Sequence, residues 1–231
     1  MRKLAFVTLC LLGVAARPAS ATALDITNID GVWIDPIGGA NVAGINTSIL
    51  TWGTGGTSGY EFEAGADLFG VPAAVPILLG EFTHTNEVID GGTAITGATL
   101  QFGFDTNGTP IVVAANFAFS HNETSNNCGC SPADDDIVTI VTPIVNVEIV
   151  VGVNTYFFNL LGFSQNGGLT FNNIYSSPEG GSNTTSLYGA ITEQPLVDPH
   201  ELDQVPEPAS LILFGSGLVG IVALRLRSRR A

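Results

Sequence analysis

Through the middle of this chain apolar residues alternate with polar ones, the period of a strand with one buried face. Leu50 and Trp52 share one side of Ser48 to Gly53, opposite Ile49, Thr51 and Gly53, and Tyr60 and Phe62 alternate with Gly59, Glu61 and Glu63 over Ser58 to Glu63. Leu100, Phe102 and Phe104 line one side of Ile95 to Phe104, while Val113, Ala115, Phe117 and Phe119 line one side of Ile111 to Ser120. Between these two runs, Asp105-Thr106-Asn107-Gly108-Thr109-Pro110 carries the Asn-Gly pair of a tight hairpin. Further strands are predicted at Leu24 to Ile29, Gly31 to Ile34, Ile77 to Thr85, Tyr156 to Phe163, Leu169 to Tyr175 and Thr184 to Thr192. Gln165-Asn166-Gly167-Gly168 suggests a second hairpin, joining Tyr156 to Phe163 with Leu169 to Tyr175. Pro143 divides the β-branched run Ile137 to Val151 into two strands or one bent edge strand. Ala64 to Pro76 reads as loop or a single turn of helix.

About ten short strands separated by turn signals, with no helical period, predict an all-β domain, an antiparallel β-sandwich of immunoglobulin-like or jelly-roll type. No fixed-period repeat is visible, which argues against a solenoid or propeller. The abundance of Gly, Thr, Val, Ile, Asn and Phe agrees with strands and turns.

The two ends break the pattern. Arg2-Lys3, the apolar run Leu4 to Ala16 and the small-residue sites Ala19-Ser20-Ala21 or Ala21-Thr22-Ala23 make residues 1–23 a secretory signal peptide with an N-terminal signal helix. At the other end Val205-Pro206-Glu207-Pro208-Ala209-Ser210 precedes an apolar helix, 209–226, and the arginines Arg225, Arg227, Arg229 and Arg230. From Ala209 to Leu224 no residue is charged, and at about 1.5 Å per residue that run reaches roughly 24 Å, slightly less than the hydrocarbon core. The snorkelling stems of Arg225 and Arg227 extend it, and the arginines belong on the cytoplasmic side of the inner membrane. The chain therefore divides into a signal peptide, a β-sandwich domain at 24–194, a Pro-containing linker at 195–205, and a C-terminal signal at 206–231.

Charge follows the same division. All seven Lys and Arg residues, at positions 2, 3, 17, 225, 227, 229 and 230, lie in the terminal signals. Of 21 acidic residues only Glu207 lies outside Leu24 to Val205, so the whole-chain net charge of −14 understates the acidity of the exported body. A body with no Lys or Arg is a poor partner for nucleic acid, phosphorylated ligands or anionic lipid, because phosphate recognition leans on those side chains. Cations and neutral glycans fit better.

The tail closely resembles the PEP-CTERM signal of Gram-negative bacteria, through its Pro-Glu-Pro motif, apolar run and terminal arginines in order. That resemblance implies secretion machinery and an exosortase as partners, a transient stay in the inner membrane, and onward passage to the cell surface or extracellular matrix. Within the body, Gly80-Glu81-Phe82-Thr83-His84-Thr85-Asn86 resembles the THxN group of PEP-CTERM proteins, related to domains called choice-of-anchor K. Supporting features are Leu50-Thr51-Trp52-Gly53, Ser58-Gly59-Tyr60, Cys128 and Cys130 ahead of Asp136-Ile137-Val138-Thr139, and Tyr156 through Gly162-Phe163. Glu87-Val88 stands where the group would have Asn-Pro. The resemblance implies an exported β-sandwich without an assigned activity, the family motif being Thr83, His84 and Asn86.

Candidate chemistry in the body is sparse. His84 and Asn86 share a strand face, where they can bind a sugar or metal or, more simply, satisfy buried backbone groups and fix a loop. Cys128 and Cys130 form a Cys-Gly-Cys candidate disulfide in an oxidising compartment, a small and strained ring. With Asp134 to Asp136 and His121 the two cysteines make only a hypothetical zinc set. Asp134-Asp135-Asp136 are the candidate calcium ligands, with Asp105-Thr106-Asn107-Gly108 and Asp25 to Asp30 as further oxygen clusters. The chain has no nucleophile elbow, phosphate cradle or Lys base; Glu61 and Glu63 are a carboxylate pair that also reads as a solvated strand face. The leading expectation is a non-enzymatic, acidic envelope or biofilm-matrix protein associated with exopolysaccharide. Its alternative is a carbohydrate-binding module that stacks sugars on Trp33, Trp52, Tyr60 and Tyr188.

Overall fold

Inward-facing aromatic rows decide how the strands assemble. The computed structural model of the chain describes residues 23–124 and 134–196, the side chains of 109–114 excepted. The signal peptide, the sorting tail with its apolar helix, and the Cys128 and Cys130 pair lie outside the described residues. Among the described residues there are twelve strands and no helix: β1 Leu24–Gly38, β2 Ile49–Trp52, β3 Ser58–Ala64, β4 Leu68–Val71, β5 Pro76–Asn86, β6 Ile95–Thr106, β7 Thr109–Asn122, β8 Asp136–Ile140, β9 Val147–Val151, β10 Asn154–Ser164, β11 Ile174–Ser177 and β12 Gly181–Thr192.

They form two six-stranded antiparallel sheets, one in the order β11-β8-β7-β6-β1-β4 and the other β2-β3-β5-β12-β10-β9. Their apolar faces share one core. Rings meet across it: Phe62 of β3 stands edge-on to Phe102 of β6 at 4.9 Å, Phe158 of β10 to Phe104 of β6 at 5.0 Å, and Trp33 of β1 packs 5.0 Å from Tyr60 of β3. Such offset and edge contacts add to the burial of large apolar surfaces that holds the sheets together.

Most strands fall where the alternation puts them. Asn107 and Gly108 make the β6–β7 turn with φ of 50° and 73°, the left-handed conformation that an Asn-Gly pair accepts at low cost. Of the further oxygen clusters, Asp105 accepts a hydrogen bond from Asn28, Asn107 from the Asp25 amide, and Asp25 from the Gly70 amide. These side chains tie the turn to β1 and β4.

Three expectations are corrected. The strands expected at Leu24 to Ile29 and Gly31 to Ile34 are one long strand, β1, whose pairing with β6 shifts register between Thr27 and Asp30, with Asn28 at φ 52°. Ala64 to Pro76, read as loop or helical turn, contains the edge strand β4, only four residues long and interrupted by Gly70 at φ 65°. The segment after Gln165 to Gly168 does not fold back onto β10; β11 pairs with β8 in the opposite sheet, and only an isolated Phe163–Asn172 bridge remains of the expected hairpin. The divided run Ile137 to Val151 becomes two strands in different sheets, β8 and β9, with Pro143 in the crossing between them.

That crossing is pinned by Asn159, fully buried on β10. Its side-chain oxygen accepts from the amides of Val145 and Asn146, and its nitrogen donates to Asn146 Oδ1. Asn146 in turn grips the backbone of Leu196 at both its N–H and its carbonyl.

Candidate functional site

Two strand faces end in histidine where the next inward residue would be apolar. Phe82, His84 and Asn86 alternate inward on β5, and Phe117, Phe119 and His121 do so on β7. Because β5 and β7 belong to opposite sheets, both histidines enter the space between the sheets, at the end where β8 begins with Asp136. Thr83 points the other way, to the outer face, where its hydroxyl meets Thr184 of β12 at 2.8 Å.

Tyr60 lies directly across from His84 in the β3–β5 pairing. Its hydroxyl reaches the other sheet, 2.7 Å from His121 Nδ1. Trp52 of β2 stacks on the His84 ring at 6.0 Å and 19°, and the two imidazoles stand edge to face at 5.2 Å. His121 Nε2 faces carboxylates, with Glu123 Oε2 at 3.3 Å and Asp136 Oδ2 at 3.7 Å. Asp136 Oδ1 accepts a 2.8 Å hydrogen bond from the Thr124 amide. Ligand atoms of His84, His121 and Asp136 all lie within 4.8 Å of one another.

Burial sets the electrostatics. His84 is fully buried, and neither of its ring nitrogens has a hydrogen-bond partner among the described residues. Desolvation, helped by nearby His121, pushes its pKa down to about 3, so the ring is neutral at pH 7. Burial drives the Asp136 carboxyl up to about 7; the Thr124 amide opposes that, and the charges of Glu123 and Glu179 add to it. Glu179 is raised as well, first by burial and then by Glu123 and Glu87. Acidic groups thus crowd this end of the sheets, and the body supplies no Lys or Arg to offset them.

Thr83, His84 and Asn86 divide by role. Asn86 fixes a loop, as its residue type suggested: its side-chain nitrogen donates to the Ser177 carbonyl and its own carbonyl accepts from Gly180. His84 makes no such bond. After Asn86, the Glu87 backbone is clipped to the Ser58 hydroxyl through both its N–H and its carbonyl, which shapes the turn at Glu87-Val88. The aspartate triplet separates too. Asp135 accepts from Ser176 at 2.6 Å, whereas Asp136 joins the histidines, and Asp134 is also buried. Glu61 and Glu63 are exposed on the outer face of β3. Trp33, Trp52 and Tyr60 are buried in the core and offer no stacking platform; Tyr188 is half-buried, with Phe171 5.6 Å away. Sequence reasoning did not join His84 to His121. Positions 84 and 121 have no local spacing in common, and the one available signal was that each continues an inward aromatic row.

Beside the site runs an open groove of about 670 Å³ lined by Val88 to Gly92, Ala94 to Thr96 and His121 to Thr124. Glu123 stands at its edge, its side chain 22 % exposed.

The family profile of the PEP-CTERM protein-sorting motif matches residues 204–230. No curated protein matches the chain. The motif implies an exported protein, processed by an exosortase at the membrane on its way to the cell surface.

Proposed function

We propose that the chain is a non-catalytic protein of the cell envelope or extracellular matrix, its β-sandwich delivered by its own tail and retained at the surface or within exopolysaccharide. The observation that carries this reading is the sorting motif at 204–230, joined to a body that has 20 acidic residues and no Lys or Arg. A surface of one sign resists self-association in a crowded matrix. The outward placement of Glu61 and Glu63 supports a non-catalytic role, since glycoside hydrolysis needs two carboxyls converging on one bond. The likeness to the THxN group belongs to the same reading, with Thr83, His84 and Asn86 as its motif. A Gram-negative host, with the arginine cluster on its cytoplasmic side until the cut, completes it.

The test is fractionation of cells carrying either the native chain or one with Pro206-Glu207-Pro208 replaced by Ala-Ala-Ala. The altered chain should accumulate uncut in the inner membrane, and identical distribution of the two would remove the sorting reading.

A second reading, glycan binding, is favoured by one observation. Phe171 packs on Tyr188 and follows Thr170, which lines one groove with Gln165 and Asn166, while Tyr188 lies against Gly168, the neighbour of Gly167 in a second groove with Glu81 and Thr184. Amides and hydroxyls beside an aromatic face suit a neutral sugar. Pull-down with the host polymer, lost on Tyr188→Ala, would support it.

A further inference from the structure

We propose that His84, His121 and Asp136 form a binding site for a divalent transition-metal ion of the zinc type, with Glu123 as fourth ligand, joining the two sheets at one end.

The donors are the first argument. Two imidazole nitrogens and carboxylate oxygens suit zinc and its neighbours, whereas calcium takes six to eight oxygens. Around a tetrahedral zinc, ligand atoms held at about 2.0–2.1 Å sit roughly 3.3 Å from one another. The pairs from His121 Nε2 to Glu123 and to Asp136, at 3.3 and 3.7 Å, are already close to that spacing. The widest separation within the triad, at most 4.8 Å, closes by small side-chain rotations.

The second argument is the unpartnered imidazole. A buried polar group without a partner carries its full desolvation cost, and among the described residues His84 has two such nitrogens at zero exposure. Metal coordination at one of them removes half of that deficit. Among the described residues Asp136 Oδ2 likewise has no hydrogen-bond partner, and His121 Nε2 lies 3.7 Å from it.

The third is support from outside the ligand set. The Tyr60 hydroxyl oxygen accepts a hydrogen bond from His121 Nδ1–H in the tautomer that leaves the Nε2 lone pair facing the carboxylates. The Thr124 amide orients Asp136, and Trp52 packs flat on His84. Two carboxylates and a dication sum to zero charge, which a body without Lys or Arg cannot otherwise achieve here except by taking up protons. The groove at Glu123 gives the ion a way in.

The experiment uses the exported protein recovered from cells expressing the full chain, stripped with chelator and returned to zinc, cobalt or calcium. One equivalent of zinc should bind and raise the melting temperature by about 5–10 °C when zinc is a hundredfold above Kd. Cobalt should give the visible absorption of a four-coordinate site. X-ray absorption of the zinc-loaded native chain should show only nitrogen and oxygen neighbours, imidazole among them, and this readout needs no variant. His84→Phe and Asp136→Asn should each lower the affinity at least tenfold. A chain that ignores zinc, responds to calcium instead, shows sulfur neighbours, or binds unchanged in a folded His84→Phe variant overturns the proposal. In the first case the cluster is neutralised by protons alone. Metal capture needs nothing of the tail, so the sorting experiment can fail while this one succeeds.

Discussion

Tyr60 and His121 belong to opposite sheets and are joined by a 2.7 Å hydrogen bond between the phenol oxygen and Nδ1, in a region sealed by Trp52 and His84. Burial first, then the charges of Asp136 and Glu123, hold that phenol well above its ordinary pKa, so it stays protonated and able to serve the imidazole. Tyr60→Phe keeps the ring and deletes the bond, leaving His121 with a buried nitrogen unmatched. The expected loss is about 1–3 kcal/mol of stability, measured as the midpoint shift in urea. If the metal proposal holds, zinc affinity falls about 10- to 100-fold as well, because an outer partner that sets the tautomer is lost.

Gly31 and Gly103 lie on adjacent strands one register step apart, Gly31 opposite Phe102 and Gly103 opposite Asp30. A Cβ on Gly31 would stand 2.5 Å from Phe62 Cδ1, against the face of that ring, while one on Gly103 would meet nothing within 4 Å. Gly31→Ala should therefore cost about 1–3 kcal/mol as an overpacked core. Gly103→Ala should lie within about 0.5 kcal/mol of the native chain, as an unobstructed substitution does. Equal midpoints for the two variants would contradict the packing described for β1 against β3.

Tyr175 sits 5 % exposed between Phe82 and Phe163, and burial pushes its pKa from 10.0 up to about 12. The folded state thus binds this proton more tightly than the unfolded chain. Its contribution to stability is whole below pH 10 and declines as pH rises from there through about 12. Urea midpoints measured over that range should fall less steeply in Tyr175→Phe than in the native chain.

The strands were legible wherever one face is buried and the other wet, because alternation then marks each residue. Ala98 to Thr106 shows this without a break. Legibility failed where the deciding contact was distant. Leu68–Val71 is too short to show a period and exists as a strand because β1 offers it an edge. The strand expected at Leu169 to Tyr175 forms instead at Ile174–Ser177 and joins β8, because Asn-Gly-Gly marks a turn without saying which strand receives the chain after it. The candidate site suffered most from this. Its parts, His84, His121 and Asp136, each stand out along the chain, but their meeting depends on β5 facing β7 and β8 across the core, and spacing along one chain cannot encode that. The same dependence buried Trp33, Trp52 and Tyr60, whose alternation marked a face without saying whether water or the other sheet would cover it.

The Asn146 clamp on Leu196 sets the length of a leash. Both backbone groups of Leu196 are held by one side chain that Asn159 holds in turn, so the chain is fastened to the domain up to that residue. The sorting motif begins at residue 204, only eight peptide units beyond. At no more than 3.6 Å per unit, these cover at most roughly 30 Å. The start of the motif is therefore never farther than that from the edge where the β8–β9 crossing and the end of β12 come together.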